Sequence, residues 1–282
     1  MDSRELRYFI AVAEELHFGR AAQRLGIAQP PLSRTIMQLE RRLGAALLQR
    51  NSRPISLTEA GAVLLHEGRA ALEALEAAEQ RARRASLAAL GQPSVVLAIK
   101  AGASSELLAK LLRAYAAEPG SIHVDVLLCD SGEQTRLLRS GHADVAILHP
   151  PIDETTGFDT EELITEGQVA VLPAGHPLAT RTHLNVAETI DRTDLPQPRW
   201  PRPDGTYIEG PGPEVQNHAQ LLQLIALDRT MMIAPDSCRA QLGEDVVAIP
   251  VIDAPRITTV MAWPPRSRSR AVADLVRTAT RL

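Results

Sequence analysis

Apolar residues recur at helical spacing from the first turn of the chain. Leu6, Phe9, Ile10, Ala13 and Leu16 mark one face of a helix from about Ser3 to Glu15. Ala21, Ala22, Leu25 and Ile27 then define a short second helix, with Gly26 at the corner. A third helix opens on Pro30 and Pro31 and carries the stripe Leu32, Ile36, Leu39 and Leu43, ending at Gly44. That stripe turns Pro30, Ser33, Arg34, Met37 and Arg41 toward the open side. The following ALLQRNSRPISLT has two short β-prone runs around Arg50, Asn51, Ser52 and Arg53, so a hairpin, or wing, is predicted.

Residues 58 to 90 are rich in Ala, Leu, Glu and Arg and contain no proline. They predict one long helix with Thr58 as N-cap, stopped by Gly91, Gln92 and Pro93. Leu65, Leu72 and Leu75 have coiled-coil-like spacing, and the alanine-rich faces suit pairing with a second subunit. The plainer alternative is a helix buried against its own domain. After Pro93 the pattern alternates strand and helix: SVVLAIKAG, a helix to Ala117, HVDVLLCD, a helix to Ser140, then DVAILHPP. These read as βαβ units on a parallel sheet. QVAVLPAG, a proline-rich stretch around Pro196 to Pro213, a helix near Val215 to Leu227 and TMMIAPDS suggest a second α/β lobe. The chain returns through VVAIPVID, RITTVMAW and a terminal helix of Ala271 to Arg281. Two lobes joined by crossing strands predict a cleft.

Composition sharpens this picture through charge. Residues 1 to 58 carry +4, residues 59 to 90 carry −1 and the remainder −7, within a net −4. A basic N-terminal module on an acidic remainder suits a protein with one end on phosphates. No apolar run is long enough to span a bilayer, and MDSRELRYF lacks the build of a signal peptide, so the chain is expected in the cytoplasm. Cys129 and Cys238 lack metal spacing and read as free thiols. No cofactor fingerprint, nucleophile elbow or metal motif occurs, which argues against an enzyme.

The helix-turn-helix points to DNA as partner. Gln29 precedes the two prolines that fix the start of the third helix, so its amide is placed to meet a base edge. Pro30 and Pro31 shape that approach, while Ser33 and Arg34 face phosphate or guanine. Arg53 on the wing is placed for a minor groove and Arg50 for backbone; solvent-facing arginine is the plainer alternative for each.

The stretch ELRYFIAVAEELHFGRAAQRLGIAQPPLSRTIMQLERRLGAALLQRNSRPISLTEAG resembles LysR-type transcriptional regulators. The resemblance extends weakly through EQTRLLRSGHADVAILHPP and GQVAVLPAGHPLA, and the QPPLSR form is similar to members that control aromatic catabolism. It implies an N-terminal all-α winged helix-turn-helix (1–58), a linker and dimerisation helix (59–91) and a C-terminal α/β two-lobed, periplasmic-binding-protein-like effector domain (92–282). Lobe I is expected at about 92–163 and 252–282, lobe II at about 164–251. It also implies a small-molecule effector, a homodimer through the linker helix and a homotetramer.

For the effector, Ser104 and Ser105 lie where a strand gives way to a helix, a natural anion site, and the resemblance puts the inducer at this turn. Helix capping alone is the alternative. Ser131 opens the next helix similarly, and His149 stands where some relatives carry an arginine. Trp200 and Pro201 are candidates from the opposing lobe. One departure is Asp228, Arg229 and Thr230 in place of the family's Gly-x-Gly turn, where Asp can still adopt the left-handed conformation. Rival readings are a redox sensor using Cys129 and Cys238, an enzyme acting in the cleft, and a nonspecific architectural DNA binder.

Overall fold

The computed structural model describes residues 1–49, 55–190, 192–201, 206–265 and 267–282. It divides into two compact units, residues 1–83 with 139–141 and residues 84–138 with 142–282.

The first unit begins with α1 (Ser3–Glu15), α2 (Phe18–Arg24) and α3 (Gln29–Leu43). Asp2 and Glu5 form a reciprocal capping box on α1, satisfying two of the N–H groups that a helix start leaves open. His17 caps α2 through Nδ1, which accepts from Gly19 and Arg20 N–H. Ala28 offers α3 no side-chain cap. Pro30 and Pro31 have no N–H, so half of the usual four open donors are missing there. Leu6, Phe9, Val12, Ala21, Leu32, Ile36 and Leu39 fill the core. Each fully buried Val, Leu, Ile or Phe among them is worth about 1.5–3 kcal/mol. Leu43 is a correction to the expected stripe: it is 47% exposed, because the last turn of α3 runs past the core.

β1 (Leu48–Gln49) and β2 (Ser56–Leu57) pair antiparallel as the predicted hairpin, and α4 (Glu59–Ala89) follows. Thr58 Oγ1 accepts from Gly61 N–H and donates to the Ala46 carbonyl, so it caps α4 and ties it to the hairpin. Leu64, Leu65 and Leu72 pack against the helical core. For Leu65 and Leu72, burial on their own module is therefore what the structure shows. Val63, Leu75 and Leu87 remain exposed along α4.

In the second unit, β3 (Ser94–Lys100), α5 (Ser105–Ala116), β4 (His123–Cys129), α6 (Glu133–Arg139) and β5 (Val145–Leu148) form the expected crossovers, with β3 parallel to β4 and β5. The sheet is mixed, however. β6 (Asp159–Glu166), absent from the sequence reading, pairs antiparallel with β10 (Ile257–Trp263), giving the order β4-β3-β5-β10-β6. β6 is an exposed edge strand whose acidic residues disguise it. α5 and the terminal α8 (Arg270–Ala279) cover one face through Leu111, Tyr115, Val272 and Leu275; Leu137 and Leu138 cover the other.

The second lobe is an antiparallel sheet of β7 (Gln168–Pro173), β8 (Met232–Pro235) and β9 (Val246–Val251), ordered β8-β7-β9, with α7 (His218–Ala226) packed against it. Asp228 closes α7 at φ +57, the left-handed conformation expected of it, and the buried Thr230 hydroxyl donates to the Pro196 carbonyl.

Candidate DNA interface and effector cavity

α3 presents its N-terminal end outward. Gln29, Pro30 and Arg34 are exposed, Pro31 and Ser33 half-buried, and Met37 and Arg41 extend the same open face. Several arginines elsewhere on the module are paired with carboxylates. Arg24 and Arg69 converge on Glu14, each at 2.7 Å, and Arg42 makes two hydrogen bonds to Glu5 at 2.7 and 3.0 Å. Those bonds hold the Glu5 carboxyl down at about 2. Burial works to raise Glu14, but Arg69 and Arg24 outweigh it and its pKa lies below the ordinary carboxylate value. Among the described residues Arg34 has no acidic partner. Those carboxylates pair arginines elsewhere on the module, while Arg34 stands exposed on α3. Arg50 and Arg53 lie outside the described residues.

The second unit holds a cavity of about 320 Å³ at the carboxyl ends of β3 and β4, closed from the other lobe by α7 and β8. Ser104, Ser131, His149 and Trp200 line it; Ser105 and Pro201 do not. Ser105 is exposed in the first turn of α5, and Pro201 is exposed beyond the tryptophan. Ser131 stands two residues ahead of α6 and does not open it. Trp200 both lines the cavity and packs on the second lobe's core, so its two proposed roles coexist.

Ser104 is the N-cap of α5 by position only. It sits at φ +47 and its hydroxyl makes no capping bond. Instead Oγ lies 2.9 Å from His149 Nε2, and both residues are buried. His149 N–H donates to Asp153 Oδ2 at 2.9 Å, while ring Nδ1 is 3.5 Å from the same oxygen and makes no hydrogen bond. Burial works to raise the Asp153 carboxyl, but the His149 ring and the Lys100 charge outweigh it and its pKa is lowered.

Sequence reasoning missed Lys100, Asn217 and His218 on the cavity wall. Lys100 was findable: it is one of two lysines, and it ends a parallel strand, where open α/β sheets bind ligands. His218 was not, because its ring meets the cavity only by packing against Gly102 of the other lobe. Its Nε2 is buried without a partner, and burial, then the Lys100 charge, lower its pKa.

Cys129 and Cys238 come from different lobes yet line this one cavity. Burial foremost pushes each thiol up to about 11, so both stay protonated at neutral pH and are poor redox nucleophiles. The redox alternative has no support in this arrangement. Among the described residues no group of three or more His, Cys, Asp or Glu is placed to hold a metal. Among them, too, no helix is long and apolar enough to cross a membrane.

Comparison with known proteins covers both units. Residues 3–62 match the family described as "Bacterial regulatory helix-turn-helix protein, lysR family", and residues 88–282 match "LysR substrate binding domain". The chain is 32% identical to the HTH-type transcriptional regulator AlsR of Bacillus subtilis, over 87% of this chain and 84% of that protein. It is 31% identical to the HTH-type transcriptional regulator IlvR of Caulobacter vibrioides, over 99% and 98% of the two chains. The crystal structure of full-length BenM superposes with a TM-score of 0.54 at 25% identity, covering all of this chain and 96% of that one.

Proposed function

We propose a residue-level division of labour for this chain, which belongs to the LysR family of bacterial transcriptional regulators. The protein is a sequence-specific DNA-binding regulator that responds to a small molecule and self-associates, and it is not an enzyme. In our reading, residues 1–58 hold the operator, with Gln29 on a base edge, Pro30 and Pro31 setting the approach, and Ser33 and Arg34 on phosphate or guanine. Residues 59–91 pair subunits, and the cavity within 92–282 takes the effector.

The observation that carries the effector assignment is polarity within an apolar wall. Lys100, Ser104 and His149 converge from one lobe, and Trp200, Leu221 and Met232 supply apolar surface from the other. One positive charge and a hydroxyl against an aromatic wall fit a small carboxylate, aromatic or aliphatic. Bound ligand stabilises by an amount that grows with the logarithm of its excess over Kd, so the test is thermal shift across small carboxylic and aromatic acids. Acids that raise Tm in the wild type and not in Ser104→Ala or Lys100→Ala place the effector here; shifts unchanged in both variants would place it elsewhere.

A further inference from the structure

Resting on the cavity as a carboxylate site, we infer that the Ser104–His149–Asp153 chain makes effector binding proton-coupled, with His149 taking up one proton for each anionic effector bound.

The argument is one of hydrogen-bond polarity. Asp153 is a buried carboxylate, acceptor only, and it faces Nδ1 of His149 at 3.5 Å. A lone pair on Nδ1 would oppose that charge, so the neutral ring carries its hydrogen there. Nε2 is then an acceptor, and the Ser104 hydroxyl 2.9 Å away must donate to it. With its hydrogen committed, Ser104 shows the cavity only lone pairs, which repel a carboxylate. An anionic effector needs the reverse: Ser104 O–H turned to the ligand, and a donor at Nε2 to fill the Ser104 lone pair. The ring supplies that donor only by gaining a proton from solvent, becoming an imidazolium between the Asp153 carboxylate and the ligand.

The other ionisable groups around the cavity leave this chain intact. Lys100, at the end of β3, supplies a fixed positive charge to the ligand but no hydrogen bond to the imidazole. Asp130, just beyond β4, accompanies Cys129, whose thiol is protonated at neutral pH. His218 at the start of α7 is held toward its neutral form and packs against Gly102. An uncharged effector, an amide for instance, can donate to Ser104 Oγ as it stands and needs no proton. The pair therefore selects between effector charge states as pH changes.

The test is calorimetry on the full chain with acetate, benzoate and succinate, each beside its amide, in two buffers of different ionisation enthalpy. Acids that bind should take up about one proton per molecule at the alkaline end, with Kd rising about tenfold per pH unit there. The amides should show neither effect. His149→Gln gives Ser104 a permanent amide donor, so acid binding should persist with no proton uptake and a flat profile. Asp153→Asn should weaken acid binding and move its pH dependence to lower pH. Acid binding in the wild type without proton uptake overturns this inference and leaves the cavity assignment standing. If none of the acids gives heat or raises Tm, the carboxylate assignment falls, and this inference with it.

Discussion

Gly102 lies at φ +79, and a Cβ there would come 2.4 Å from His218 Cδ2. Gly102→Ala therefore combines an unfavourable backbone with a clash across the cavity, and a loss of about 1–3 kcal/mol is expected, seen as a lower Tm. His218 adds a titration. In the unfolded chain it binds a proton near the ordinary 6.5, whereas the folded site resists. The unfolded state thus holds more protons as pH falls below 6.5, so the stabilisation is complete above that value and is lost on acidification. His218→Gln should flatten the slope of stability against pH just below 6.5; an unchanged slope would show that the ring is not held neutral by burial.

At the level of elements, close backbone approach fixes how α4 docks on the first module. A Cβ on Gly61 would lie 2.1 Å from the Leu47 carbonyl oxygen, which belongs to the backbone and cannot swing away. Gly61→Ala should cost about 2–4 kcal/mol and abolish DNA binding by displacing the hairpin, as denaturant unfolding and gel shift would report. Glu14 joins α1 to α2 and α4 through Arg24 and Arg69. Its lowered pKa means that the ion pairs stabilise above the ordinary 4.5 and lose their effect as acid drives the carboxyl to its protonated form. Glu14→Gln should accordingly be less stable than wild type at pH 7, with the difference vanishing on acid titration.

The three N-terminal helices were legible because each is amphipathic, and because Gly26 and Gly44, both at φ +66, mark their corners. Leu43 was misread because periodicity continues beyond the core that gives it meaning. β6 was invisible because an edge strand exposed along most of its length, with only Leu163 packed on the core, has no apolar alternation to show. The second lobe's strands are buried along most of their length, so their hydrophobic runs carry no sign of antiparallel pairing. Ser104 and His149 could each be nominated from sequence. Their hydrogen bond across 45 residues, which removes Ser104 from capping, could not.

Across the whole molecule, the apolar surface left on α4 bears on how DNA is held. A helix of 31 residues is about 46 Å long, and burial of Leu64, Leu65 and Leu72 uses only its first half. Val63, Leu75 and Leu87 stay exposed at 59%, 40% and 47%, among alanines that permit close helix approach. Pairing of α4 with a second copy is expected to cover part of this surface, and such a pair would present two recognition helices to DNA. Leu75→Glu with Leu87→Glu should then leave the fold intact, lower the mass seen by light scattering and cut operator affinity by about 10²- to 10⁴-fold through lost bivalency. Because Arg34 and Gln29 are untouched, the same variant should bind a single half-site as the wild type does. A monomer that retained full operator affinity would show that α4 does not set the DNA-binding stoichiometry, whereas a variant of unchanged mass would place the subunit contact on another surface.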